Sequence, residues 1–174
     1  MTEQDRNRSA QWIRDALAQH EGPLLRYATR LASGDLERAR DAVQDTFVRL
    51  CEQPRSKIED YLAPWLFRVC RNRVLELRRK EERMKPLEEK HVNTHPADGA
   101  SPAATAERKD SLSIILRLLG GLPGNQQEVV RLKFQNEMSY KQISRVTGLS
   151  VTNVGFLLHT AIRKLRAEMH QLEA

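Results

Sequence analysis

Three short polar residues near the C-terminus, Ser150, Thr152 and Asn153, follow a glycine at position 148. Helical patterns flank this glycine, and "SYKQ" at 139–142 has the spacing of a capping box that begins the first of them. Glycine suits the left-handed residue that ends one helix, and Ser150 can cap the next. In such a helix-turn-helix, Thr152 and Asn153 point outward from the first turn of the second helix. Their side chains can then reach base edges in DNA while the helix N-terminus faces phosphates.

The second of these helices also carries His159, Arg163 and Lys164, which we expect to contact the DNA backbone. Between Ser139 and Met169 the chain has five Lys or Arg residues and one Glu, a net charge of +4. Each neutralised phosphate adds roughly 0.9 to the slope of log affinity against log salt concentration. So few contacts predict weak binding that needs a second DNA contact or a partner. The alternative is a plain helical hairpin with a polar face.

A second basic segment is "WLFRVCRNRVLELRRK", residues 65–80, with six basic residues and one acidic residue. Five of the six are arginine, which suits phosphate and stacked-base contacts better than lysine does. The candidates for DNA contact share the face opposite an apolar stripe, and we call them the basic face: Arg68, Arg71, Asn72, Arg78 and Arg79. An ordinary solvated helix face is the alternative. We expect Trp65 to lie in the core, although a lone tryptophan can also stack on a base.

The segment "DAVQDTFVRL", residues 41–50, places Asp41, Gln44 and Asp45 on the polar side of an amphipathic pattern. We call these three residues the polar patch. Residues 35–60 hold seven acidic and five basic residues, a net charge of −2. This surface repels DNA and therefore suits a protein partner, although an ordinary amphipathic helix has the same periodicity.

The elements that position these groups are predicted to be helices, because sustained strand alternation is missing from the sequence. Asp35 suits the N-cap of the helix with the polar patch, and Pro64 suits the first turn of the basic helix. We expect Gly22-Pro23 to interrupt an earlier helical pattern and a loop to cover roughly residues 53–61. The "NQQE" run at 125–128 has the spacing of another capping box.

The predicted fold class is all-α, with two small helical domains at residues 1–86 and 108–174 and the helix-turn-helix in the second. Between them, "KPLEEKHVNTHPADGASPAATAE" holds three prolines, one glycine and few large apolar residues. Such a segment can bury little surface, so residues 87–107 are predicted to form a flexible linker. The alternative is a surface loop packed on one domain.

The net charge of +6 favours an anionic partner, with nucleic acid the first choice and a membrane surface the second. An apolar run of membrane-spanning length and a signal-peptide pattern are both missing from the sequence, which predicts a cytoplasmic location. Cys51 and Cys70 have no partner at metal-ligand spacing, so we expect both to be small core residues. The sequence shows no Gly-rich phosphate loop, His-Glu metal pair or nucleophile–base arrangement. We therefore expect no enzymatic activity, cofactor or metal.

Together the three segments resemble bacterial RNA polymerase sigma factors of the extracytoplasmic-function (ECF) type. "DAVQDTFVRL" is similar to the polymerase-binding segment of that family, of the form D-x-x-Q-[DE]-x-F. "APWLFRVCRNRVLELRR" is similar to its −10 element segment, and "LPGNQQEVVRLKFQNEMSYKQISRVTGLSVTNV" to its −35 reading domain. All three motifs, in this order and spacing, are highly specific, and the resemblance covers nearly the whole chain.

The resemblance implies a role for each segment. The polar patch would face the coiled coil of the polymerase β′ subunit, and Arg71, Asn72 and neighbouring arginines would hold the opened −10 strand. The loop near residues 53–61 would capture a flipped base. Thr152 and Asn153 would lie in the −35 major groove. The implied partners are promoter DNA and core RNA polymerase through its β′ and β subunits, with an anti-sigma factor as a further candidate.

The chain departs from the family at one place. Many relatives read T-V-K-S-R-L after the turn, where residues 153–158 here read Asn-Val-Gly-Phe-Leu-Leu, so two basic positions are lost. The apolar pair Phe156-Leu157 is therefore a candidate for contact with a negative regulator or the polymerase flap. The leading alternative function is a stand-alone helix-turn-helix regulator, which would bind duplex DNA without polymerase. An RNA-binding adaptor is another.

Overall fold

The computed structural model describes residues 3–84 and 114–173, with side chains described for residues 7–84 and 114–171. In these ranges the regular structure is helical, and the chain divides into two compact units, Met1–Ala97 and Asp98–Ala174. The predicted all-α, two-domain fold class is confirmed. The boundaries at residues 86 and 108 and the predicted linker at 87–107 lie outside the described residues. None of the described helices is both long and apolar enough to cross a membrane.

The first unit contains three long helices and a short helical connection. Helix α1 spans Glu3–Leu31, α2 spans Leu36–Cys51, α3 spans Arg55–Ile58, a 3-10 turn spans Glu59–Tyr61, and α4 spans Leu62–Met84. The long helices pack on one another around an apolar core. At its centre the Tyr27 and Phe67 rings lie 5.1 Å apart, tilted by 56°. This packing fixes which side of α2 and of α4 reaches solvent.

Helix α1 runs through Gly22-Pro23 without a break, so the predicted interruption there is wrong. A proline inside a helix removes one backbone hydrogen bond and costs about 3 kcal/mol. Residues on both sides of Pro23 are buried in the same core, among them Ala16, Leu24 and Ala28. Burial of a side chain the size of leucine contributes about 1.5–3 kcal/mol, so packing of both halves offsets the proline.

The predicted loop at residues 53–61 is also wrong, because most of it is helical. After Pro54 the short α3 and the 3-10 turn lead directly into α4, and the Lys57 N–H donates to the Pro54 carbonyl at 3.0 Å. The Ile58 side chain is only 2% exposed, so it anchors this segment to the core. The predicted N-cap of α2 is confirmed, since the Asp35 carboxylate accepts from the Arg38 N–H at 2.9 Å.

In the second unit, α5 occupies 114–120, α6 spans Gly124–Phe134, α7 spans Tyr140–Thr147 and α8 spans Val151–Glu173. The buried side chains come mainly from α6, α7 and α8, and include Leu132, Ile143, Val154, Leu158 and Ala161. Val154, Leu158 and Ala161 are spaced by four and three residues on one side of α8, so the opposite side of the helix is directed to solvent.

The "NQQE" run does not form a capping box. Helix α6 begins at Gly124 with Pro123 as its N-cap, and the Pro123 carbonyl accepts from the Gln126 and Gln127 N–H groups. This earlier start places Asn125 inside the first turn, where its Oδ1 accepts from Gln126 instead. The Gln127 side chain donates to the carbonyls of Gly120 and Leu122, which joins the end of α5 to α6.

The two cysteines differ. Cys70 is fully buried in α4, and burial raises the pKa of its thiol to about 12. Cys51, at the end of α2, is exposed, so the prediction that both are core residues is wrong for Cys51. The apolar stripe of α2 ends at Leu50, and the next residue lies on the solvent side.

Candidate nucleic-acid interface

The helix-turn-helix has the local structure that the sequence predicts. The Ser139 hydroxyl accepts from the Gln142 N–H at 3.2 Å, and the Gln142 side chain accepts from the Ser139 N–H at 2.8 Å, which completes the capping box. Gly148 has φ of 78°, in the left-handed region, and ends α7. Ser150 then caps α8 by accepting from the Asn153 N–H at 3.1 Å.

Hydrogen bonds inside the turn fix the direction in which α8 leaves it. The Ser144 hydroxyl donates to the Leu149 carbonyl at 2.6 Å. The Thr147 hydroxyl donates to the Ile143 carbonyl at 2.8 Å and accepts from the Leu149 N–H at 3.3 Å. The Ser144 bond and the bond from the Leu149 N–H link α7 to the turn, so the start of α8 is held in place by local contacts.

Three of the proposed contact residues of α8 share one face. Thr152 and Asn153 are exposed in the first turn, and His159 and Arg163 are exposed further along. Thr152, His159 and Arg163 are spaced by seven and four residues, so they project from the same side of the helix. Lys164 lies apart from them, because its ammonium donates to the Gly121 carbonyl at 3.1 Å and approaches Glu168 at 3.8 Å. It therefore joins α8 to the end of α5.

The apolar pair at 156–157 is divided by the fold. Leu157 is 7% exposed and belongs to the core, whereas the Phe156 side chain is 65% exposed. The predicted protein contact through both residues is therefore wrong for Leu157. Phe156 lies four residues after Thr152 and seven before Arg163, on the same face as both.

On α4 the basic face is divided between solvent and the edge of the core. Arg68, Asn72 and Arg79 are exposed, whereas Arg71 and Arg78 are half-buried. The Arg78 guanidinium donates to the Leu31 carbonyl at the end of α1, at 3.3 Å. Arg78 therefore stabilises the packing of α1 on α4, a role that its sequence context does not indicate.

On α2 the polar patch is also unequal. Asp41 and Gln44 are exposed, but Asp45 is half-buried, with its Oδ2 atom 3.0 Å from Arg49 Nε and 3.4 Å from Arg73 Nε. Neither contact has hydrogen-bond geometry, so the two arginines hold Asp45 by charge. The Asp45–Arg49 spacing of four residues is readable from the sequence, whereas the Arg73 contact depends on how α4 packs on α2.

Sequence reasoning missed an apolar residue in this surface. Val48 is 53% exposed and follows Gln44 by four residues, so it shares the face of the polar patch. A groove of about 440 Å³ lies beside it. The groove is lined by residues of α2, the α2–α3 connection and α4: Asp45, Val48, Arg49, Glu52, Gln53, Trp65 and Val69. Trp65 is half-buried at this edge, so it is partly in the core, as predicted, and partly in the groove wall.

Two family models match the chain. The model described as Sigma-70 region 2 matches residues 17–84, and the model described as Sigma-70, region 4 matches residues 112–165. The ECF RNA polymerase sigma factor SigL of Mycobacterium tuberculosis is 30% identical over 157 residues, which are 88% of this chain and 86% of SigL. The ECF RNA polymerase sigma factor SigM of Bacillus subtilis is 28% identical over 134 residues, covering 76% and 80%. The RNA polymerase sigma factor YlaC of the same species is 25% identical over 159 residues, covering 90% and 91%.

Proposed function

The chain belongs to the ECF family of RNA polymerase sigma factors, which act with core RNA polymerase in promoter recognition and transcription initiation, and on that premise we propose which of its surfaces does each part of the work. Helix α8 contacts the duplex of the −35 element, α4 contacts the opened −10 strand, and α2 docks on the polymerase. The observation that carries this proposal is the capped start of α8, where Thr152 and Asn153 are exposed beside the helix N-terminus.

The start of α8 suits a duplex groove. A major groove about 12 Å wide admits one α-helix, and asparagine can make two hydrogen bonds to adenine there. Arg163 lies eleven residues after Thr152, or about 16 Å along the helix, which is far enough to reach a phosphate at the groove edge. Ser150 and His159 complete the proposed −35 contacts. Lys164 has only a secondary place among them, because it already binds the Gly121 carbonyl.

The exposed part of the basic face suits an opened strand. Arg68, Asn72 and Arg79 follow one side of α4 over about 16 Å, a length of several nucleotides. Arginine can pair with phosphate and stack on an unpaired base. Arg71 and Arg78 border this strip and complete the proposed −10 contacts. The expected capture of a flipped base stays in the proposal, on the helical segment that Ile58 anchors instead of on a loop.

The exposed side of α2 suits a protein partner. Asp41 and Gln44 offer polar contacts, and Val48 beside them offers an apolar contact that a DNA surface would not need. We assign this surface to the coiled coil of the β′ subunit, with Asp45 holding α2 against α4 beneath it. The polymerase β subunit is the proposed second contact, and an anti-sigma factor is a candidate regulator. The protein acts in the cytoplasm and catalyses no reaction itself.

Reconstitution with bacterial core polymerase tests this function. We expect the holoenzyme to start transcripts at a defined set of sites with shared upstream and −10 sequences, as read by sequencing of transcript 5′ ends. The protein without core should give little shift of the same promoter duplexes in a gel. Tight, sequence-specific binding without core, together with no added transcription with core, would instead favour the stand-alone regulator.

A further inference from the structure

Phe156 is a large apolar side chain in the middle of the α8 face that the proposed function assigns to DNA. Its side chain is 65% exposed, four residues after Thr152 and three before His159. Single exposed apolar residues are common on protein surfaces, so exposure alone carries no meaning. The position does, because the residues before and after it on this face are polar or basic.

Helix geometry locates the ring relative to the other contacts. At 1.5 Å per residue, Phe156 lies about 6 Å beyond Thr152 along the axis, and Arg163 lies about 10 Å further. With the α8 N-terminus in the groove, the ring therefore lies between the residues that can hydrogen-bond bases and the arginine that can reach phosphate. In that placement the ring would lie over base edges and not over the DNA backbone.

The backbone of α8 next to Phe156 packs against a side chain of α7. An added Cβ at Gly155 would lie 3.5 Å from Cε2 of Tyr140, so the Tyr140 ring packs directly on α8 beside Phe156. The Lys133 ammonium lies 5.7 Å from the centre of the same ring, on the far end of α6. Tyr140 of α7 therefore packs on the turn of α8 that presents Phe156, and Lys133 of α6 contacts Tyr140 in turn.

The chemistry of the groove leaves one partner for a phenyl ring. Base edges in the major groove present hydrogen-bond donors and acceptors, and the 5-methyl group of thymine is their one apolar feature. A ring set against the other groups would remove them from water without replacing their hydrogen bonds. We infer that Phe156 reads a thymine in the upstream promoter element by packing on its 5-methyl group. This inference rests on the proposed −35 role of α8.

A protein partner fits the same face less well. Leu157 is buried in the core, and the residues that share the face with Phe156 are Thr152, His159 and Arg163. One ring with polar neighbours is a small target, since protein hot spots cluster in well-packed, desolvated pockets. From Val151 to Leu165 the sequence contains no acidic residue, which suits a polyanion.

The test removes the methyl group alone. Promoters found from the transcript starts of the reconstituted holoenzyme are synthesised with deoxyuridine in place of thymidine, one upstream position at a time on each strand. Uracil keeps every hydrogen bond of thymine and lacks only the methyl group. We expect closed-complex affinity to fall about fourfold at one or two positions, the effect of about one buried methyl group. Phe156→Ala holoenzyme should bind thymine and uracil promoters equally.

Three controls make the outcome decisive. Val151→Ala truncates another exposed apolar residue of α8 and should keep the uracil effect, and Phe156→Leu should keep part of it. Circular dichroism checks that Phe156→Ala remains folded. A uracil effect that persists in Phe156→Ala would overturn the inference and leave the ring to a protein contact. The inference would also be overturned if wild-type holoenzyme needs the upstream element but binds every uracil promoter as tightly as the thymine promoter. If wild-type holoenzyme binds equally well without the upstream element, the −35 role itself would be refuted.

Discussion

The two proposed DNA surfaces differ in how their side chains are held. Helix α4 carries seven basic and three acidic residues, yet Arg73 contacts Asp45 and Glu76 and Arg78 binds the Leu31 carbonyl. Helix α8 carries only three Lys or Arg residues, and its exposed face is set by capping bonds and by the glycine turn. The α4 face therefore depends on tertiary packing, and the α8 face on local structure.

Counts of charged residues therefore overstate how much the two surfaces differ in the contacts they can make with DNA. Among the proposed contacts, the exposed residues of α4 are Arg68, Asn72 and Arg79. Those of α8 include Thr152, Asn153 and Arg163, with His159 and Phe156 between them. Each set offers a handful of contacts and predicts modest, salt-dependent binding. Stable promoter binding should therefore need both surfaces, joined through the polymerase.

The largest expected loss of stability comes from breaking the α2–α4 contact made by Asp45, the half-buried residue of the polar patch. Asp45→Arg places a third guanidinium beside Arg49 and Arg73, and we expect it to destabilise the first unit by about 1–2 kcal/mol. Both tryptophans, Trp12 and Trp65, lie in that unit, so urea unfolding followed by tryptophan fluorescence reports on it directly.

The matched control is Asp41→Arg, which reverses a charge at an exposed position of the same patch. It should leave stability within about 0.5 kcal/mol of wild type and still weaken binding to core polymerase. Equal stability of the two variants would show that the arginine contacts of Asp45 contribute little. Normal core binding by Asp41→Arg would count against the proposed docking of α2 on the polymerase.

In the second unit, local structure should be the sensitive point. Gly148→Ala forces an alanine into the left-handed region and should cost about 1–2 kcal/mol. Ser139→Ala removes the capping box of α7 and should cost about 1 kcal/mol. Amide hydrogen exchange of α7 and α8 measures both losses. The stability of the first unit, read by tryptophan fluorescence during urea unfolding, should stay unchanged. An equal loss of stability in the first unit would mean that the two units do not unfold separately.

Adjacent arginines on α4 separate a packing role from a surface role. Arg78→Ala loses a hydrogen bond to the Leu31 carbonyl and should lower the stability of the first unit by about 1 kcal/mol. Arg79→Ala, at an exposed position, should change it by less than about 0.5 kcal/mol. Urea unfolding compares them, and identical midpoints would remove Arg78 from the packing of α1 on α4.

The smallest expected effect is a gain. Gly155→Ala should stabilise α8 by up to about 1 kcal/mol, because glycine is a poor helix former and the added methyl group would meet Tyr140 at an ordinary contact distance of 3.5 Å. Slower amide exchange in α8 would confirm this. Faster exchange would show that the Tyr140 ring cannot adapt to a side chain at position 155.

The features that could be predicted from the sequence are caps and turns formed by residues close together in the chain. The Ser139–Gln142 capping box, the left-handed Gly148 and the Ser150 cap depend on residues within a few positions of one another, and all three were predictable. So was the Asp35 cap of α2. Each of these features has a residue type that few other local structures favour.

Features set by packing could not be predicted in this way. Pro23 stays inside α1 because both halves of the helix are buried in one core, and the 53–61 segment is helical because Ile58 anchors it. The contact between Asp45 and Arg73 and the hydrogen bond from Arg78 to the Leu31 carbonyl depend on how helices distant in sequence pack together. The helical periodicity also could not show that Leu157 is buried and Phe156 is exposed, since both residues are apolar.

The division of labour between α4 and α8 is tested most directly with two asparagine variants in reconstituted holoenzyme, on closed promoters and on promoters with a pre-melted −10 region. We expect Asn72→Ala to slow opening of the closed template and to lose most of this defect on the pre-melted one. Asn153→Ala should weaken binding on both wherever upstream duplex is present, by about 1–3 kcal/mol if it makes a bidentate base contact. As a reference, Arg163→Ala should weaken all sequences alike and flatten the salt slope by about one unit. Identical defects of Asn72→Ala and Asn153→Ala on both templates would contradict two separate DNA surfaces.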